Sequence, residues 1–487
     1  MSDSGSGTAW AAMLGVEVMN AAELQAPTAP TLDAGIAQFR APGQQDIEPH
    51  GERFLEADAY SLGLQAVVYG YATVPLYRLL IERTQDTGSP QFLGFNRFRH
   101  GRRPAAPTDR AVAMPEVDIL RSEAWLDLSQ EPLVFTVPDT GGRAYSASFQ
   151  DLFGNASNIG RRTYGTGAGR FALVPPGWRG TLAEELTPFR VSTRYLRVLL
   201  RLPIGAGEDL TAVRALQDRF SFLPLGAYCG AQAALERPLP SAPPLGQPLP
   251  PLEFYRLLAD ALQAGGLPEG DEGLVASFAR FGLRLDRSFD SETVSAATRR
   301  GLIRAYDDAV SMIEGSADRI GQDVNGWSRA DLAMYGRNYL YRAAAALQAL
   351  DANVKEEYLA FTAFADQEGA PLDASRCNYL VRFAAGALPP VDAFWSIALY
   401  DGTTEGLVEN ALKRYAVGDR TPALSFGTDG SLEIRIQSAP PPNAAAANWL
   451  PAPVGPFCLR LRAYQPRARM LTGEWSPPAV FPFTRES

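Results

Sequence analysis

The chain has 487 residues, of which 46% are hydrophobic and 20% are charged, a composition typical of folded globular proteins. With 54 acidic and 45 basic residues the net charge is -9, which excludes a general electrostatic attraction to nucleic acid or anionic lipid. The length exceeds the roughly 250–300 residues that one hydrophobic core usually organises, so several domains are expected.

The sequence shows no targeting or membrane-spanning signal. No uninterrupted apolar stretch reaches the roughly 20 residues of a membrane helix. Met1–Gly7 lacks the basic start and apolar core of a secretory signal. Cys229, Cys377 and Cys458 are far apart and odd in number, which predicts neither a disulfide framework nor a zinc site. We therefore expect a cytoplasmic protein without a membrane or nucleic-acid partner.

The first half of the chain changes from a helical to a strand-like pattern. A short helix is expected around Ala9–Leu24, and apolar residues recur at helical spacing in 56–83, where Pro75 should kink or end the helix. From Asn96 to Leu202, short apolar runs alternate with turn residues, which predicts an antiparallel sandwich followed by a helix at Asp209–Phe220. The predicted strands are Leu133–Val137, Ala144–Phe149, Phe171–Val174 and Leu196–Leu202.

The second half begins with a proline-rich linker, residues 237–251, which carries seven prolines. Residues 252–350 show a helical pattern, and residues 355–487 return to strands. The predicted helices are Glu253–Gln263, Gly273–Phe281, Ser295–Ile313 and Leu332–Leu350. The predicted strands are Ala423–Phe426, Leu432–Ile436 and Phe457–Ala463, the first two joined by a turn at Asp429-Gly430. The expected divisions of the chain are 1–54, 55–236, 237–350 and 351–487.

Short motifs follow one another in a recognisable order over about residues 55–480. Those of the first half are Asn96-Arg97-Phe98-Arg99-His100, Pro115-Glu116-Val117-Asp118, Ala124-Trp125-Leu126-Asp127, Ile159-Gly160-Arg161-Arg162 and Gly177-Trp178-Arg179-Gly180. Those of the second half are Phe394-Trp395-Ser396, Tyr400-Asp401, Asn448-Trp449-Leu450-Pro451, Arg460-Leu461-Arg462-Ala463-Tyr464 and Trp475-Ser476-Pro477-Pro478. By these motifs the chain resembles bacterial proteins that pair families 1254 and 1214 of the domain-of-unknown-function series.

The resemblance implies a β-rich α+β fold. Its parts would be an N-terminal immunoglobulin-like antiparallel sandwich, a helical insert and a C-terminal jelly-roll-like β-sandwich. Relatives usually carry an Asn two residues before Asp118 and a Tyr three residues after it, whereas this chain has Glu116 and Arg121 there. If that segment lines a pocket, this protein binds or transforms something different from its relatives.

Several catalytic chemistries have no sequence support. His50 and His100 are the only histidines and no HExxH-like spacing exists, so a histidine metal site is not expected, although an all-oxygen Ca²⁺ or Mg²⁺ site stays open. The glycines of 165–169 precede a predicted strand and not a helix, which argues against a nucleotide loop. There is no Walker loop and no G-x-S-x-G elbow. No metal or cofactor is predicted.

Three residues are the candidate catalytic groups: His100, Asp118 and Tyr69. Neighbouring arginines would lower the pKa of His100 and suit it to act as a general base. A carboxylate near an indole, as expected for Asp118 and Trp125, can act as an acid, and the phenol of Tyr69 could donate to an oxyanion. For each residue the alternative is a structural hydrogen bond or packing role.

The candidate substrate-binding residues are Tyr71, Asn96, Arg121, Trp125 and Asp151. Arg121 could hold a carboxylate or phosphate with two parallel hydrogen bonds, and a surface ion pair is the alternative. Asp151 could instead cap a turn.

Three functions fit these residues. The first is a cofactor-independent acid–base enzyme acting on a small organic molecule, as in a natural-product tailoring step by dehydration, cyclisation, isomerisation or lysis. The second is a noncatalytic small-molecule or glycan-binding or assembly protein. The third is a carboxylate-dependent hydrolase, which needs two carboxyl groups within about 5–10 Å. Sheet edges would also permit a homo-oligomer.

Overall fold

The computed structural model describes residues 49–110, 112–205, 207–232, 237–317, 319–441 and 443–483. The helix expected around Ala9–Leu24 lies outside these residues. The helices of the described segments are α1 Pro49–Gly70, α2 Thr73–Thr84, α3 Arg161–Tyr164, α4 Thr211–Gln217, α5 Leu225–Tyr228, α6 Pro251–Gly265, α7 Glu272–Ser277, α8 Ala296–Ala317, α9 Tyr339–Gln348 and α10 Ala468–Leu471. Their strands are β1 Arg99–His100, β2 Ile119–Asp127, β3 Leu133–Val137, β4 Ser146–Gln150, β5 Ala156–Gly160, β6 Gly169–Val174, β7 Thr187–Arg190, β8 Tyr195–Pro203, β9 Ser221–Pro224, β10 Gln322–Val324, β11 Trp327–Arg329, β12 Tyr358–Ala363, β13 Asn378–Phe383, β14 Val391–Asp401, β15 Ala416–Gly418, β16 Leu432–Gln437, β17 Trp449–Pro451, β18 Phe457–Pro466 and β19 Val480–Phe483.

The first sandwich consists of a five-stranded sheet, in the order β1-β2-β8-β4-β5, and a four-stranded sheet, in the order β7-β6-β3-β9. Because successive residues of a strand point to opposite faces, Leu120, Ala124 and Leu126 of β2 enter the core between the two sheets. Arg121 and Glu123, which alternate with them, lie on the outer face of the five-stranded sheet. This alternation places charged side chains where the rest of the protein packs.

The second sandwich consists of a six-stranded sheet, in the order β10-β11-β12-β18-β14-β15, and a four-stranded sheet, in the order β17-β16-β13-β19. Leu459, Leu461 and Ala463 of β18 share its core, as their alternation predicted. The outer face of the six-stranded sheet carries Tyr400 and Arg462, and both are almost fully buried by the segment that leads into β2. The β-rich α+β fold with two sandwiches is thus confirmed.

A helical layer forms the third hydrophobic core. Its buried side chains come mainly from α1 and α2, before the first sandwich, and from α6 and α8, after it. Helices α1 and α8 approach so closely that a Cβ atom on Gly301 would lie 2.3 Å from the carbonyl oxygen of Glu56. The helix expected over 56–83 breaks at residues 71–72, and Pro75 lies in the first turn of α2, where its missing N–H is tolerated.

Two sequence predictions of secondary structure are wrong. Residues 423–426 form no strand, although the turn at Asp429-Gly430 does form and Gly430 adopts a positive φ of 78°. Within the region expected to be helical, residues 322–329 form the hairpin β10–β11, which adds to the six-stranded sheet. Tertiary pairing with β12 decides this segment, because three-residue strands carry too little pattern to be recognised.

The two sandwiches join through a buried arginine. Arg462 of β18 is 1% exposed and donates to the Tyr400 hydroxyl oxygen at 2.7 Å and to the Met114 carbonyl oxygen at 2.5 Å. Its Nε lies 3.9 Å from a carboxylate oxygen of Glu116, and the Tyr400 hydroxyl donates to the Pro115 carbonyl oxygen at 2.9 Å. The backbone before β2 is therefore held on the second sandwich by hydrogen bonds from Arg462 and from Tyr400, which Arg462 itself contacts.

Replacing Arg462 with Met should destabilise the protein by about 3–5 kcal/mol, because it leaves the buried Met114 carbonyl oxygen and Tyr400 hydroxyl without their donor and removes the cation that faces Glu116. Urea denaturation followed by circular dichroism measures the change. Arg382→Met is the matched control, since Arg382 is half exposed where it pairs with Asp429, and it should cost less than about 1 kcal/mol. Equal losses in the two variants would contradict the role given to Arg462.

Candidate functional site

The outer face of the five-stranded sheet places polar side chains in register across β4, β8 and β2. Ser146, Arg201 and Arg121 lie opposite one another in one row, and Gln150, Arg197 and Trp125 form another. Between these rows, Glu123 lies opposite Leu199. The pairing of three neighbouring strands thus gathers three arginines on one buried face.

Arg121 and Arg201 are direct cross-strand neighbours, an arrangement that is unfavourable for like charges. Asp351, from the loop after α9, relieves it. Its Oδ2 accepts from Arg121 Nη1 at 2.7 Å, and its carbonyl oxygen accepts from Arg201 Nη2 at 3.3 Å. Burial opposes ionisation of Asp351, but Arg121, Arg197 and Arg201 outweigh it and hold the pKa of the carboxyl well below its usual range. Asp351 therefore stays anionic between two cations.

Two further carboxylates complete the arrangement. Glu123 accepts from Arg197 Nε at 2.8 Å, and although burial opposes its ionisation, Arg197 and Arg121 lower its pKa. Glu116 lies between Arg201 Nε, at 3.8 Å, and Arg462 Nε, at 3.9 Å. We call the whole set the charged seam; its members are Glu116, Arg121, Glu123, Arg197, Arg201, Asp351 and Arg462.

The charged seam has one positive charge more than its carboxylates neutralise, since it contains four arginines and three acids. Nε and Nη1 of Arg201 are buried and have no hydrogen-bond partner among the described residues. Arg201 keeps only 8% of its side chain exposed, whereas Arg121 and Asp351 each keep 33%. A ligand would therefore reach the seam from the side of Arg121 and Asp351, and an anion would match its charge.

His100 lies away from the charged seam. On the edge strand β1, His100 lies opposite Ser122 of β2, and its Nδ1 is 2.8 Å from Ser122 Oγ. Ser122 Oγ also accepts a hydrogen bond from the Gln217 side chain. Ser122 and Arg121 are consecutive in β2, so their side chains point to opposite faces of the sheet. The pKa of His100 is lowered, first by burial and then by Arg102, in the direction expected from the sequence.

Asp118 lies at one end of the interface between the sandwiches. Its Oδ2 accepts from Ser396 Oγ at 2.7 Å, and its Oδ1 accepts from Arg420 Nη2 at 3.2 Å. The guanidinium carbon of Arg420 lies 3.4 Å from the centre of the Phe394 ring. Asp118 thus binds the first sandwich to the second, and it has no contact with Trp125, which lies seven residues further along the chain on β2.

Tyr69 and Asp151 meet around a third buried arginine, Arg342. The Tyr69 hydroxyl donates to Asp271 at 3.1 Å, and burial, with the nearby Asp271 charge, raises the pKa of Tyr69. The guanidinium group of Arg342 lies over the rings of Tyr69, Phe153 and Tyr339, with carbon-to-centroid distances of 4.9, 5.2 and 5.0 Å. This cluster fastens the helical layer to the first sandwich.

The carboxylate of Asp151 accepts hydrogen bonds from its own loop and from the segment between β7 and β8. It accepts from the backbone N–H groups of Phe153 and Asn155 and from the Ser192 hydroxyl. Burial nevertheless raises its pKa, and its charge faces Arg342. The backbone contacts are those of a turn cap, the alternative role that the sequence suggested for Asp151.

The other predicted binding residues have packing contacts. Asn96, at a positive φ of 59°, accepts from the backbone N–H of Asp127 and donates its own N–H to the Trp125 carbonyl oxygen. Trp125 is fully buried in the helical core, and Tyr71 is half-buried near Tyr306, where burial raises its pKa. Arg121 alone among the predicted residues belongs to the charged seam.

The three candidate catalytic residues, His100, Asp118 and Tyr69, are not brought together. His100 lies at an edge of the first sandwich, Asp118 at the interface between the sandwiches and Tyr69 inside the helical layer. Strand alternation and the helical packing separate them. The three do not form one acid–base site in this arrangement.

Sequence reasoning missed Arg197, Arg201, Glu123 and Asp351. A signal existed for the first two, because they stand four residues apart in the otherwise apolar strand β8 and therefore share a face. Asp351 carried no such signal, because it lies in the loop between α9 and β12, and only tertiary packing brings this loop to the sheet.

Among the residues that the structure describes, no group of three or more His, Cys, Asp or Glu side chains is placed to hold a metal ion. None of the described helices is long and apolar enough to cross a membrane.

Comparison with known families identifies two domains in the chain. A family described as "protein of unknown function (DUF1254)" matches residues 95–224, and one described as DUF1214 matches residues 357–468. The chain therefore contains both domains, as the motifs indicated. The charged seam takes Glu116, Arg121 and Arg201 from the first domain and Arg462 from the second, whereas Asp351 lies between them.

Comparison with solved structures supports the fold. The VPA0106 protein from Vibrio parahaemolyticus shares 21% identity and superposes with a TM-score of 0.71, covering 88% of this chain and 100% of its own. A putative uncharacterised protein from Burkholderia cenocepacia shares 12% identity with a TM-score of 0.43, covering 89% of this chain and 97% of its own. No curated protein matches the chain.

Stability should depend on the protonation of Asp419, which lies beside Asp118. Its carboxyl accepts from the Trp395 N–H. Partial burial and the nearby Asp118 charge raise the pKa of Asp419 from 3.8 to about 6, although the Trp395 N–H and Arg420 act in the opposite direction. The folded protein therefore holds the proton more tightly than the unfolded chain, so this contribution to stability is complete below pH 3.8 and is lost as pH rises to about 6.

Denaturation at a series of pH values should show this loss in the wild type and not in Asp419→Asn. The difference should stay below about 1 kcal/mol, because Asp419 as a whole residue is exposed, although its carboxyl is partly buried, and solvent screens its charge. Parallel stability curves for the two proteins would contradict the assignment.

Proposed function

We propose that the protein is a cofactor-independent enzyme that binds a small organic anion at Arg121 and Arg201 and acts on it by acid–base chemistry. The observation that carries this proposal is the pair of directly opposed arginines, of which Arg121 keeps 33% of its side chain exposed and Arg201 has two buried N–H groups without an acceptor among the described residues. A carboxylate or phosphate group matches the planar fork of a guanidinium group.

Acid–base groups border Arg201 on its other side. Tyr145, Glu357 and Tyr464 line with it a small cavity of about 20 Å³ between the two sandwiches. Burial raises the pKa of Glu357, against the attraction of Arg162, which donates to one of its oxygens at 2.7 Å. Such a carboxyl suits proton donation, and the fitting reactions are dehydration, cyclisation, isomerisation and lysis.

Binding without turnover is the second candidate, and the size of this cavity favours it. A volume of about 20 Å³ holds one water molecule and no substrate. A bound anion would then rest on the open side of Arg121 and Asp351, away from Glu357. In this case the protein would be a small-molecule-binding or assembly protein.

We further propose a reducing, cytoplasmic location and a small-molecule partner in place of nucleic acid or membrane. Cys229, Cys377 and Cys458 are free thiols, as is usual where glutathione keeps proteins reduced. The net charge of -9 disfavours polyanions, yet it does not prevent a small anion from binding where positive charge is concentrated.

A thermal-shift titration with a panel of small carboxylic and hydroxycarboxylic acids tests the anion site. The wild type should be stabilised, and the double variant Arg121→Gln/Asp351→Asn should bind at least about tenfold more weakly, since a hydrogen bond to a charged group contributes about 1.5–3 kcal/mol. The double variant removes both partners and so avoids an uncompensated buried charge. Arg219→Gln, which removes an exposed arginine from the first sandwich, is the control and should bind as the wild type does.

Mass spectrometry of the acids that bind then separates the two candidate functions. A product that forms with the wild type and not with Glu357→Gln supports the enzyme, whereas binding without any product supports the binding protein. Unchanged affinity in the double variant would overturn both.

A further inference from the structure

A polar cleft among the described residues lies apart from the charged seam. Its volume is about 260 Å³, and none of the residues predicted from the sequence lines it. The lining residues come from the turn after α8, from hairpin β10–β11 and from the segment that begins α9; they are Arg319, Gly321, Gln322, Arg329, Asp331 and Tyr341.

The one carboxylate among these lining residues is fully engaged. Oδ1 of Asp331 accepts from Arg329 at 3.0 and 3.2 Å, and its Oδ2 accepts from Lys355 Nζ at 3.1 Å. Burial opposes its ionisation, but Lys355 and Arg329 lower its pKa, so it stays charged. The Tyr341 hydroxyl donates to the Asp331 carbonyl oxygen at 2.8 Å and fixes the loop.

Arg329 is a rigid part of the wall. It is 9% exposed, its Nη1 donates to the Met470 carbonyl oxygen at 3.3 Å, and its guanidinium carbon lies 5.9 Å from the centre of the Phe361 ring. Arg319 and Gln322 are exposed at the mouth. Asp323, the next residue along β10, directs its carboxylate to the hairpin turn, where it accepts from the Gly326 N–H.

We propose that this cleft is a second binding site, for a small oxyanion such as a phosphate or carboxylate group, with Arg319 as the residue that engages it. Arg319, Arg329 and Lys355 carry three positive charges, and Asp331 neutralises only one of them. The cleft is somewhat smaller than the roughly 300–1,000 Å³ of sites for drug-sized ligands, so it suits a small metabolite or a terminal anionic group. Neither domain match covers it, since 319–341 lies between the matched segments.

Isothermal titration of the full chain with inorganic phosphate, sulfate and citrate, each as a separate probe, tests this site. At least one probe should bind, and Arg319→Gln should weaken that binding by about tenfold or more, as expected for the loss of a charge-assisted hydrogen bond. Arg219→Gln matches it in charge and should leave the affinity unchanged. Arg319 is exposed, so its variant should fold normally, which the melting temperature without ligand verifies.

The double variant Arg121→Gln/Asp351→Asn separates this site from the charged seam. Binding that survives in the double variant and is lost in Arg319→Gln supports the cleft. Binding that is lost only in the double variant, or that none of the three probes shows with the wild type, overturns it. Preference among the probes distinguishes a phosphate site from a carboxylate site.

Discussion

The guanidinium group of Arg462 is enclosed between the two sandwiches, and its contacts set the constraint on which the rest of the interface depends. A buried cation must be matched by acceptors, because an unmatched one costs several kcal/mol. Here one acceptor is the Met114 carbonyl oxygen, just before β2, and the other is the Tyr400 hydroxyl oxygen of β14, so the segment that leads into β2 is held on β14 and β18. The position of the first sandwich relative to the second follows.

The same constraint extends along the outer face of β2 and β8. Along β2 and β8, core-facing apolar residues alternate with residues on the outer face, and the outer positions include Arg121, Arg197 and Arg201. Turning these arginines inward would place charge in the sandwich core. Acids from three separate segments, at Glu116, Glu123 and Asp351, meet them. A surplus of one positive charge and an incompletely hydrogen-bonded Arg201 distinguish this layer from a balanced structural ion-pair network.

Functional side chains and fold-stabilising side chains are difficult to separate in this protein. The motifs that connect the chain to the two families include Glu116, Arg162, Tyr400 and Arg462, and these residues bind the domains to each other. Within the charged seam, Arg121 and Asp351 keep the largest exposed fraction of their side chains while remaining partly enclosed. That combination is the physical reason for centring a small-anion site on them.

The sequence by itself determined the first sandwich, the strands of the second half, the helical layer and the break near Pro75, because alternation, helical spacing and turn residues are local signals, whereas the second sandwich was implied by the resemblance to the two families. It also singled out Arg121, because relatives usually carry Tyr at that position. Only the tertiary structure decided that His100 pairs with Ser122, whose side chain points to the face opposite that of Arg121. It also decided that Tyr69 lies beside Arg342 and that Asp351 contacts the five-stranded sheet. These relations join residues that are tens to hundreds of positions apart, and they arise from packing between elements, which no local pattern of the chain records.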